Sequence, residues 1–249
     1  NPLSRFPRCP YVGFEKAPVV TPEWPRQCVV ARYTFGDDEP ALRRLGLIAE
    51  AYEPVSRAFL QHYAPAGPPA ALDLGCGPGF STRLIASTCR PGSLIGLDAS
   101  EQFLQAARSI VPEASFDHHD VTSVPLPHAP ADLIYARLVL AHLPDPPAML
   151  ERWRQQLTPT GVLLSAELED IEAPAGPLRD YDEMSAAIVQ RGGGVMYAGP
   201  LLAAQYGRCV RVTVSATVAA KIYWFNVRLW LDQGQVHLPE QDLLALEAD

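Results

Sequence analysis

The sequence lacks the features of a nucleic-acid-binding or membrane-spanning protein. Lysine and arginine together number 20 against 28 aspartate and glutamate residues, for a net charge of −8, and the basic residues form no cluster. Because phosphate binding needs concentrated positive charge, we expect no nucleic-acid partner. No apolar run approaches the ~20 residues that cross a bilayer, so we also expect no membrane partner.

Cysteine is scarce, and its pattern excludes two further classes. The five cysteines are irregularly spaced, with no CxxC pair and no cysteine–histidine cluster. This pattern argues against a disulfide scaffold and against a metal site. The N-terminus does not have the basic-then-apolar form of a signal peptide. We therefore predict a reduced, cytoplasmic protein that holds no metal.

Apolar residues, by contrast, make up 48% of the 249 residues, enough for one large α/β domain with appendages. From Ala70 onward, predicted strands and helices alternate. Such alternation predicts a parallel sheet with right-handed crossovers, the doubly wound, Rossmann-like arrangement. The expected strands are Ala70–Leu74, Leu94–Leu97, Ala114–Phe116, Asp132–Tyr135 and Gly161–Glu167. The expected helices between and after them are Gly79–Cys89, Glu101–Val111, Pro146–Leu157 and Leu178–Arg191.

Three regions are predicted along the chain. Residues 1–31 form a proline-rich arm, residues 32–65 a helical N-terminal cap that Pro54 is expected to break in two, and residues 66–249 the main domain. Within the main domain, residues 173–206 are expected to form a lid over an acceptor pocket, with a flexible glycine joint at residues 192–194. Residues 210–218 are strand-like, and Lys221–Leu231 fits a strand or a helix equally.

The most informative segment is LDLGCGPGF, which spans residues 72–80. Its glycines lie at a strand-to-helix turn, where positive φ and close approach of a ligand to the backbone are needed. Asp98 ends the next apolar stretch, at the position from which an acid binds ribose hydroxyls. The pattern therefore predicts a nucleoside-binding half-site.

Asp73 indicates which nucleoside is bound. A carboxylate directly before the loop would repel a pyrophosphate, since two like charges at ~4 Å cost about 4 kcal/mol at an effective dielectric of about 20. The same carboxylate suits an ammonium group. Phe80 replaces the third glycine of the dinucleotide pattern, and no Gly-Lys-Ser/Thr follows, so a P-loop is excluded. A ligand with ribose, adenine and an amino-acid ammonium is S-adenosylmethionine.

These motifs resemble those of the class I, Rossmann-like S-adenosylmethionine-dependent methyltransferases of the bacterial small-molecule type, over roughly residues 66–168. LDLGCGPGF and LIGLDAS are similar to the first two family motifs, HHDVTSVPLP to the adenine-holding segment, and ADLIYARLVLAHLPDP to the fourth motif. The family's sheet ends with a seventh, antiparallel strand. Either Lys221–Leu231 supplies that strand here, or it is missing.

The resemblance implies a role for each matching residue. At the methionine end, Gly75, Cys76 and Gly77 would line the cofactor, Asp73 would lie near its ammonium, and the backbone at Ala136–Arg137 would close the site. At the nucleoside end, the implied contacts are Asp98 and Ala99 to the ribose, Phe103 on the adenine face, Asp120 to the adenine amino group, and the Val121 backbone to the ring. Tyr33 is the candidate for an N-terminal tyrosine that reaches the cofactor.

Methyl transfer from a sulfonium is an in-line displacement, so a base is needed only for an acceptor that is not already nucleophilic. His142, which follows the fourth expected strand, is the candidate base; its alternative role is to pack or cap the turn before Pro144. The acidic stretch Glu167, Glu169, Asp170 and Glu172 could line the acceptor pocket, but a solvated loop is the favoured interpretation.

The predicted function is methyl transfer from S-adenosylmethionine to a small organic acceptor, a secondary metabolite, with S-adenosylhomocysteine as product. Three alternatives stay open: methylation of a protein or RNA, use of the cofactor without methyl transfer (a decarboxylase or cyclase), and a non-catalytic cofactor-binding or dimer partner. The sequence leaves a homodimer open and does not identify the attacked atom.

Overall fold

The structure, a computed structural model, describes residues 36–172, 177–206, 209–212 and 214. In this part of the chain, five parallel strands form one sheet in the order β3-β2-β1-β4-β5. The strands are β1 (Ala70–Leu74), β2 (Ser93–Asp98), β3 (Ser115–His118), β4 (Ala131–Arg137) and β5 (Leu157–Ala166). The helices are α1 (Glu39–Tyr63), α2 (Phe80–Cys89), α3 (Glu101–Ile110), α4 (Pro146–Arg154), α5 (Pro177–Arg191) and α6 (Gly199–Tyr206). This arrangement confirms the predicted Rossmann-like α/β fold.

Helices cover both faces of the sheet, which explains why its central strands are apolar on both sides. On one face, Leu72 and Ile134 pack in a core that includes Trp153 of α4. On the other face, Tyr135 packs in a core with Leu60 of α1 and residues of α2. In a parallel sheet that reverses its strand order between β1 and β4, a ligand crevice is expected at the carboxyl ends of these strands.

The helix α1 differs from the prediction. It runs unbroken from Glu39 to Tyr63 with Pro54 inside it, so the predicted break is wrong. An internal proline costs about 3 kcal/mol because it removes one backbone hydrogen bond and crowds the preceding turn. Burial of one side of the helix, at Ala49, Ser56 and Leu60, offsets that cost.

Other differences concern element ends. The helix α4 ends at Arg154, and β5 begins at Leu157, four residues before the expected start. Residues 210–212 and 214, the described part of the strand-like segment, adopt no strand. The predictions for the 1–31 arm, for Tyr33 and for Lys221–Leu231 concern residues outside the described part of the chain. None of the described helices is both long and apolar enough to cross a bilayer.

Candidate functional site

The glycine loop between β1 and α2 adopts a backbone that other residues rarely take. Gly75, Gly77 and Gly79 have φ angles of 61°, 52° and 87°. A Cβ on Gly75 would lie 2.6 Å from Cγ2 of Val139, and one on Gly79 would lie 3.1 Å from Cα of Ala107. The first glycine thus brings the loop against the segment that follows β4, and the third brings it against α3.

Asp98, at the end of β2, fixes this loop from the other side. Its Oδ2 accepts a hydrogen bond from the Gly77 N–H at 2.8 Å, and its Oδ1 accepts one from the Ser100 N–H at 2.8 Å. Burial raises the pKa of Asp98, while the N–H groups of Ser100, Gly77 and Ala99 oppose that shift. The carboxylate therefore joins the glycine loop to the start of α3, and each oxygen keeps acceptor capacity for a hydroxyl ligand.

Asp73 is fully buried beneath the loop. Its Oδ2 accepts hydrogen bonds from Ser81 Oγ at 2.7 Å and Thr82 Oγ1 at 2.6 Å, which fixes the first turn of α2. Its Oδ1 has no hydrogen-bond partner among the described residues. Burial raises the pKa of Asp73 to about 6, against the lowering effect of the two hydroxyls and of Arg137. A buried carboxylate oxygen without a partner is suited to a cationic ligand group.

Cys76 faces away from the ligand side of the loop. Its side chain is buried in a cluster with Leu104, Ala107, Val111 and Phe116, under α3. Burial raises the pKa of its thiol well above the ordinary value. Only the backbone of Cys76 is therefore placed to line the predicted cofactor site.

The residues predicted to hold the adenine lie at the ends of β2 and β3. Phe103 is 4% exposed in the first turn of α3, whose N-cap is Ser100. Asp120 is exposed, and its Oδ1 accepts hydrogen bonds from the N–H and Oγ1 of Thr122.

A residue that the sequence did not identify supports this end of the site. Val121 is buried, and its carbonyl accepts a hydrogen bond of 2.8 Å from Nε1 of Trp153 in α4. Trp153 thus holds the backbone that was predicted to meet the adenine ring. Trp153 lies 32 residues from Val121 along the chain, so no local pattern pointed to this contact.

The helix α1 lies across the glycine loop. Leu45 Cδ1 would be 3.9 Å from a Cβ on Gly77, and the ring of Phe80 would be 3.6 Å from one on Gly46. Just before α1, Asp37 Oδ2 accepts a hydrogen bond of 2.8 Å from Ser100 Oγ. The N-terminal helix and the residue before it therefore lie against the glycine loop after β1 and against the start of α3 after β2.

Two side chains at and after the end of β4 interact electrostatically with buried groups. Arg137, half-buried at the end of β4, lowers the pKa values of Tyr52 and Asp73 against the effect of their burial. His142 ends a 3-10 helix at Leu140–His142, and burial together with the nearby Arg44 lowers its pKa to about 4. His142 is therefore neutral at pH 7 and is a weak proton acceptor.

Glu167, directly after β5, does not lie in a solvated loop, so that expectation is wrong for this residue. Its Oε1 accepts hydrogen bonds from the N–H groups of Val139 at 3.0 Å and Leu140 at 2.9 Å. Its Oε2 is buried without a hydrogen-bond partner among the described residues, and burial raises the pKa of Glu167 to about 7. Glu169, two residues on, does match the expectation: it is part-exposed and pairs with Arg211.

The described part of the predicted lid is attached at the same end of the sheet. The Val195 N–H donates to the Ala141 carbonyl at 2.7 Å, and the Gly199 N–H donates to the Leu168 carbonyl at 2.9 Å. Gly194, predicted as part of a flexible joint, is buried, and a Cβ there would collide with the Ala141 carbonyl oxygen. The connection between α5 and α6 therefore packs against the segments that follow β4 and β5.

Comparison with known proteins agrees with this geometry. Residues 72–165 match a family model described as a methyltransferase domain. A trans-aconitate 2-methyltransferase of Sinorhizobium medicae is 35% identical over 150 residues, which cover 60% of this chain and 53% of that protein. A second enzyme of this name, from Methylobacterium radiotolerans, is 42% identical over 107 residues, which cover 43% of this chain and 41% of that protein. The chain spans about half the length of the curated relatives it matches.

Among solved structures, an S-adenosylmethionine-dependent methyltransferase from Mesorhizobium loti is 30% identical. The alignment covers 53% of this chain and 60% of that chain, with a TM-score of 0.43.

Proposed function

We propose that this chain carries a class I, Rossmann-like S-adenosylmethionine-dependent methyltransferase domain. On this premise, the protein methylates a small organic acceptor such as a secondary metabolite. The observation that carries the proposal is the pair of carboxylates on either side of the glycine loop. Asp98 is bonded to the loop, and Asp73 presents a buried oxygen without a partner beneath it.

The chemical groups of these residues match the parts of S-adenosylmethionine that they would bind. Asp98 would accept from the ribose hydroxyls, with Ala99 beside it, and Asp73 would face the methionine ammonium. Gly75 and Gly77 would allow the methionine part to approach the backbone, which a side chain would prevent. Phe103, Asp120 and the Val121 backbone would hold the adenine, and the backbone of Ala136–Arg137 would close the methionine end.

When bound, the cofactor supplies an activated methyl group that an acceptor takes by in-line displacement, leaving S-adenosylhomocysteine. The protein contributes alignment and exclusion of water, which together can lower a barrier by ~7–11 kcal/mol. Leu45 of α1 covers the loop, and the connection between α5 and α6 packs beside His142. These two covers would bring the acceptor toward the methyl group and keep solvent out.

The surroundings of His142 favour an acceptor that is nucleophilic without deprotonation. A histidine with a pKa of about 4 is a poor base for an alcohol or phenol. A carboxylate is already ionised at neutral pH and needs no base. We therefore propose a small carboxylic acid as acceptor, with His142 in a contact role rather than as the base that its position had suggested.

Two cationic groups at this end of the sheet support an anionic acceptor. Arg44 of α1 is 4% exposed and lies close enough to His142 to lower its pKa. Arg137 lies at the end of β4, close enough to Tyr52 of α1 to oppose the rise in its pKa that burial causes. The acceptor named for the relatives, trans-aconitate, is itself a carboxylate.

Cofactor binding is tested by calorimetry with S-adenosylmethionine and S-adenosylhomocysteine. Asp98→Ala should weaken binding at least about tenfold, because a hydrogen bond to a charged group contributes about 1.5–3 kcal/mol. The matched control is Asp117→Ala, an exposed acid on the neighbouring strand β3 that pairs with His128. Equal affinity of both variants and the wild type would refute the proposed site.

Methyl transfer is tested by mass spectrometry of the products. Trans-aconitate and other small di- and tricarboxylates are offered beside neutral phenols and amines, and we expect an added methyl group on a carboxylate. Consumption of the cofactor without a methylated product would instead indicate a decarboxylase or cyclase. Methylation of a protein or RNA substrate alone would overturn the small-molecule acceptor.

A further inference from the structure

We propose that Glu167 is a positioning residue for methyl transfer: its carboxylate anchors the segment Leu138–His142, which joins the cofactor loop to the acceptor side of the site. The inference rests on the proposed function. It assigns to the reaction a residue that acts through a segment in contact with both the glycine loop and the predicted lid. Four contacts of the segment carry the argument.

The first contact is the anchor itself. One oxygen of Glu167 receives the N–H groups of two successive residues, Val139 at 3.0 Å and Leu140 at 2.9 Å. These are N–H groups at the start of the 3-10 helix Leu140–His142, which have no partner within that helix. A carboxylate at this end also complements the positive end of the helical turn. Glu167 thus caps the turn from a separate strand, 28 and 27 residues away along the chain.

The second contact shows that the segment needs an anchor. Leu138 has a φ of 57°, in the left-handed region that a residue with a Cβ adopts only at a cost in free energy. Such a conformation persists only where the surroundings impose it. The Leu138 N–H donates to the Ala166 carbonyl at 2.9 Å, directly before Glu167. The end of β5 therefore holds the strained turn by three consecutive N–H groups.

The third and fourth contacts connect the turn to the glycine loop on one side and to the predicted lid on the other. Toward the cofactor, the Val139 side chain fills the space beside Gly75, where a Cβ would come within 2.6 Å of it. Toward the acceptor, the Ala141 carbonyl accepts the Val195 N–H from the predicted lid, and His142 is the next residue. A shift of the turn would move the glycine loop contact, His142 and the lid contact together. Misplacement of about 1 Å at a reacting centre can cost a hundredfold in rate.

The test compares Glu167→Ala and Glu167→Gln with two controls. Glu169→Ala removes the neighbouring acid, which forms only a part-exposed ion pair with Arg211. Leu60→Ala removes a fully buried side chain of α1 and lowers stability away from the turn. For each protein, kcat, the KM for each substrate and the affinity for S-adenosylhomocysteine are measured below the lowest melting temperature of the set.

We expect Glu167→Ala to lower kcat about ten- to a hundredfold, with a change in the affinity for S-adenosylhomocysteine of no more than about threefold. Glu167→Gln keeps an acceptor oxygen for the two N–H groups, so it should recover most of the loss in kcat. Glu169→Ala should match the wild type. A kcat of Glu167→Ala no lower than that of Leu60→Ala would overturn the positioning role, and so would a glutamine variant as impaired as the alanine variant.

Amide hydrogen exchange keeps this inference separate from the proposed function. The N–H groups of Val139 and Leu140 should exchange faster in Glu167→Ala than in the wild type, and Glu167→Gln should reverse the change. If the wild type binds the cofactor but methylates no acceptor, the proposed function fails while the exchange result still supports the anchor. Unchanged exchange in an active protein would overturn the anchor and leave the proposed function standing. If Glu167→Ala does not fold, Glu167→Gln must still show intermediate exchange and kcat.

Discussion

The contact between Gly75 and Val139 gives a prediction in which the cost of a single methyl group can be worked out. In Gly75→Ala, the new Cβ would lie 2.6 Å from Cγ2 and 3.0 Å from Cγ1 of Val139. The backbone there has a φ of 61°, which an alanine adopts at a cost of about 1–2 kcal/mol. Forced overlap in a packed site adds about 1–3 kcal/mol, so the variant should lose roughly 2–5 kcal/mol of unfolding free energy.

Gly77→Ala separates these two contributions. Gly77 has a similar φ of 52°, but among the described residues its Cβ would meet only Leu45 Cδ1, at the ordinary contact distance of 3.9 Å. It should therefore lose only the conformational cost of about 1–2 kcal/mol. In the double variant Gly75→Ala/Val139→Ala, the overlap should be relieved while the conformational cost stays. Both Cγ atoms of Val139 are gone, and its Cβ would lie 3.4 Å from the new Cβ at position 75. The double-mutant cycle should give a coupling energy of about 1–3 kcal/mol.

The assay is urea unfolding followed by circular dichroism, together with the affinity for S-adenosylhomocysteine. Gly75→Ala should bind more weakly, and removal of the Val139 side chain should restore part of both losses. Equal destabilisation by Gly75→Ala and Gly77→Ala, or a coupling energy near zero, would show that Val139 does not press on the loop. The structural link between the cofactor loop and the segment after β4 would then be refuted.

Three further predictions concern stability and the adenine end of the site. Burial raises the pKa of Asp73 from 3.8 to about 6, so the folded state binds this proton more tightly than the unfolded state does. The free energy of unfolding should therefore fall by roughly 3 kcal/mol, relative to Asp73→Asn, as the pH rises from below 3 to above 7. Urea unfolding of both proteins across this range should show the difference, and parallel curves would contradict it. Trp153→Phe leaves the Val121 carbonyl without its donor, so the variant should lose about 1–3 kcal/mol of stability and bind the cofactor more weakly. A substitution at Leu60 that lowers stability by the same amount should leave cofactor binding in place. Pro54→Ala should raise the melting temperature, since it restores a backbone donor inside α1; a lower one would show that the proline is favourable there.

Much of the fold could be predicted because its signals are local. The strand β1 was predicted with its observed ends, and the glycines, together with the apolar stretch that ends at Asp98, placed the strand-to-helix turn correctly. The carboxyl-end positions of Asp73, Asp98 and Arg137 followed from the alternation of strands and helices alone. Their ligand contacts stay predictions, although the hydrogen bonds of Asp98 to Gly77 and Ser100 show why an acid is suited to that position.

What could not be predicted depends on contacts between distant parts of the chain. Glu167 belongs to an acidic run that resembles a solvated loop. Its role as a buried anchor is evident only from its hydrogen bonds to Val139 and Leu140, which follow the neighbouring strand β4. The contact of Trp153 with the Val121 carbonyl spans 32 residues and has no local pattern. Pro54 carried a strong local signal for a helix break, which the packing of α1 over the sheet outweighed.

The two ends of the site depend on different kinds of structure, and this explains which part of the function the sequence identified. The cofactor end is built from one turn and the tips of adjacent strands, so its chemistry is concentrated in short motifs around Asp73 and Asp98. The proposed acceptor end lies near α1, the turn after β4, the end of β5 and the connection between α5 and α6, which are distant from one another along the chain. Because the proposed cofactor contacts lie in the glycine loop and at the ends of β2 and β3, we expect substitutions at Arg44 or His142 to change the preferred acceptor while cofactor affinity stays near the wild-type value. A loss of cofactor binding in those variants would show that the two ends are not separable.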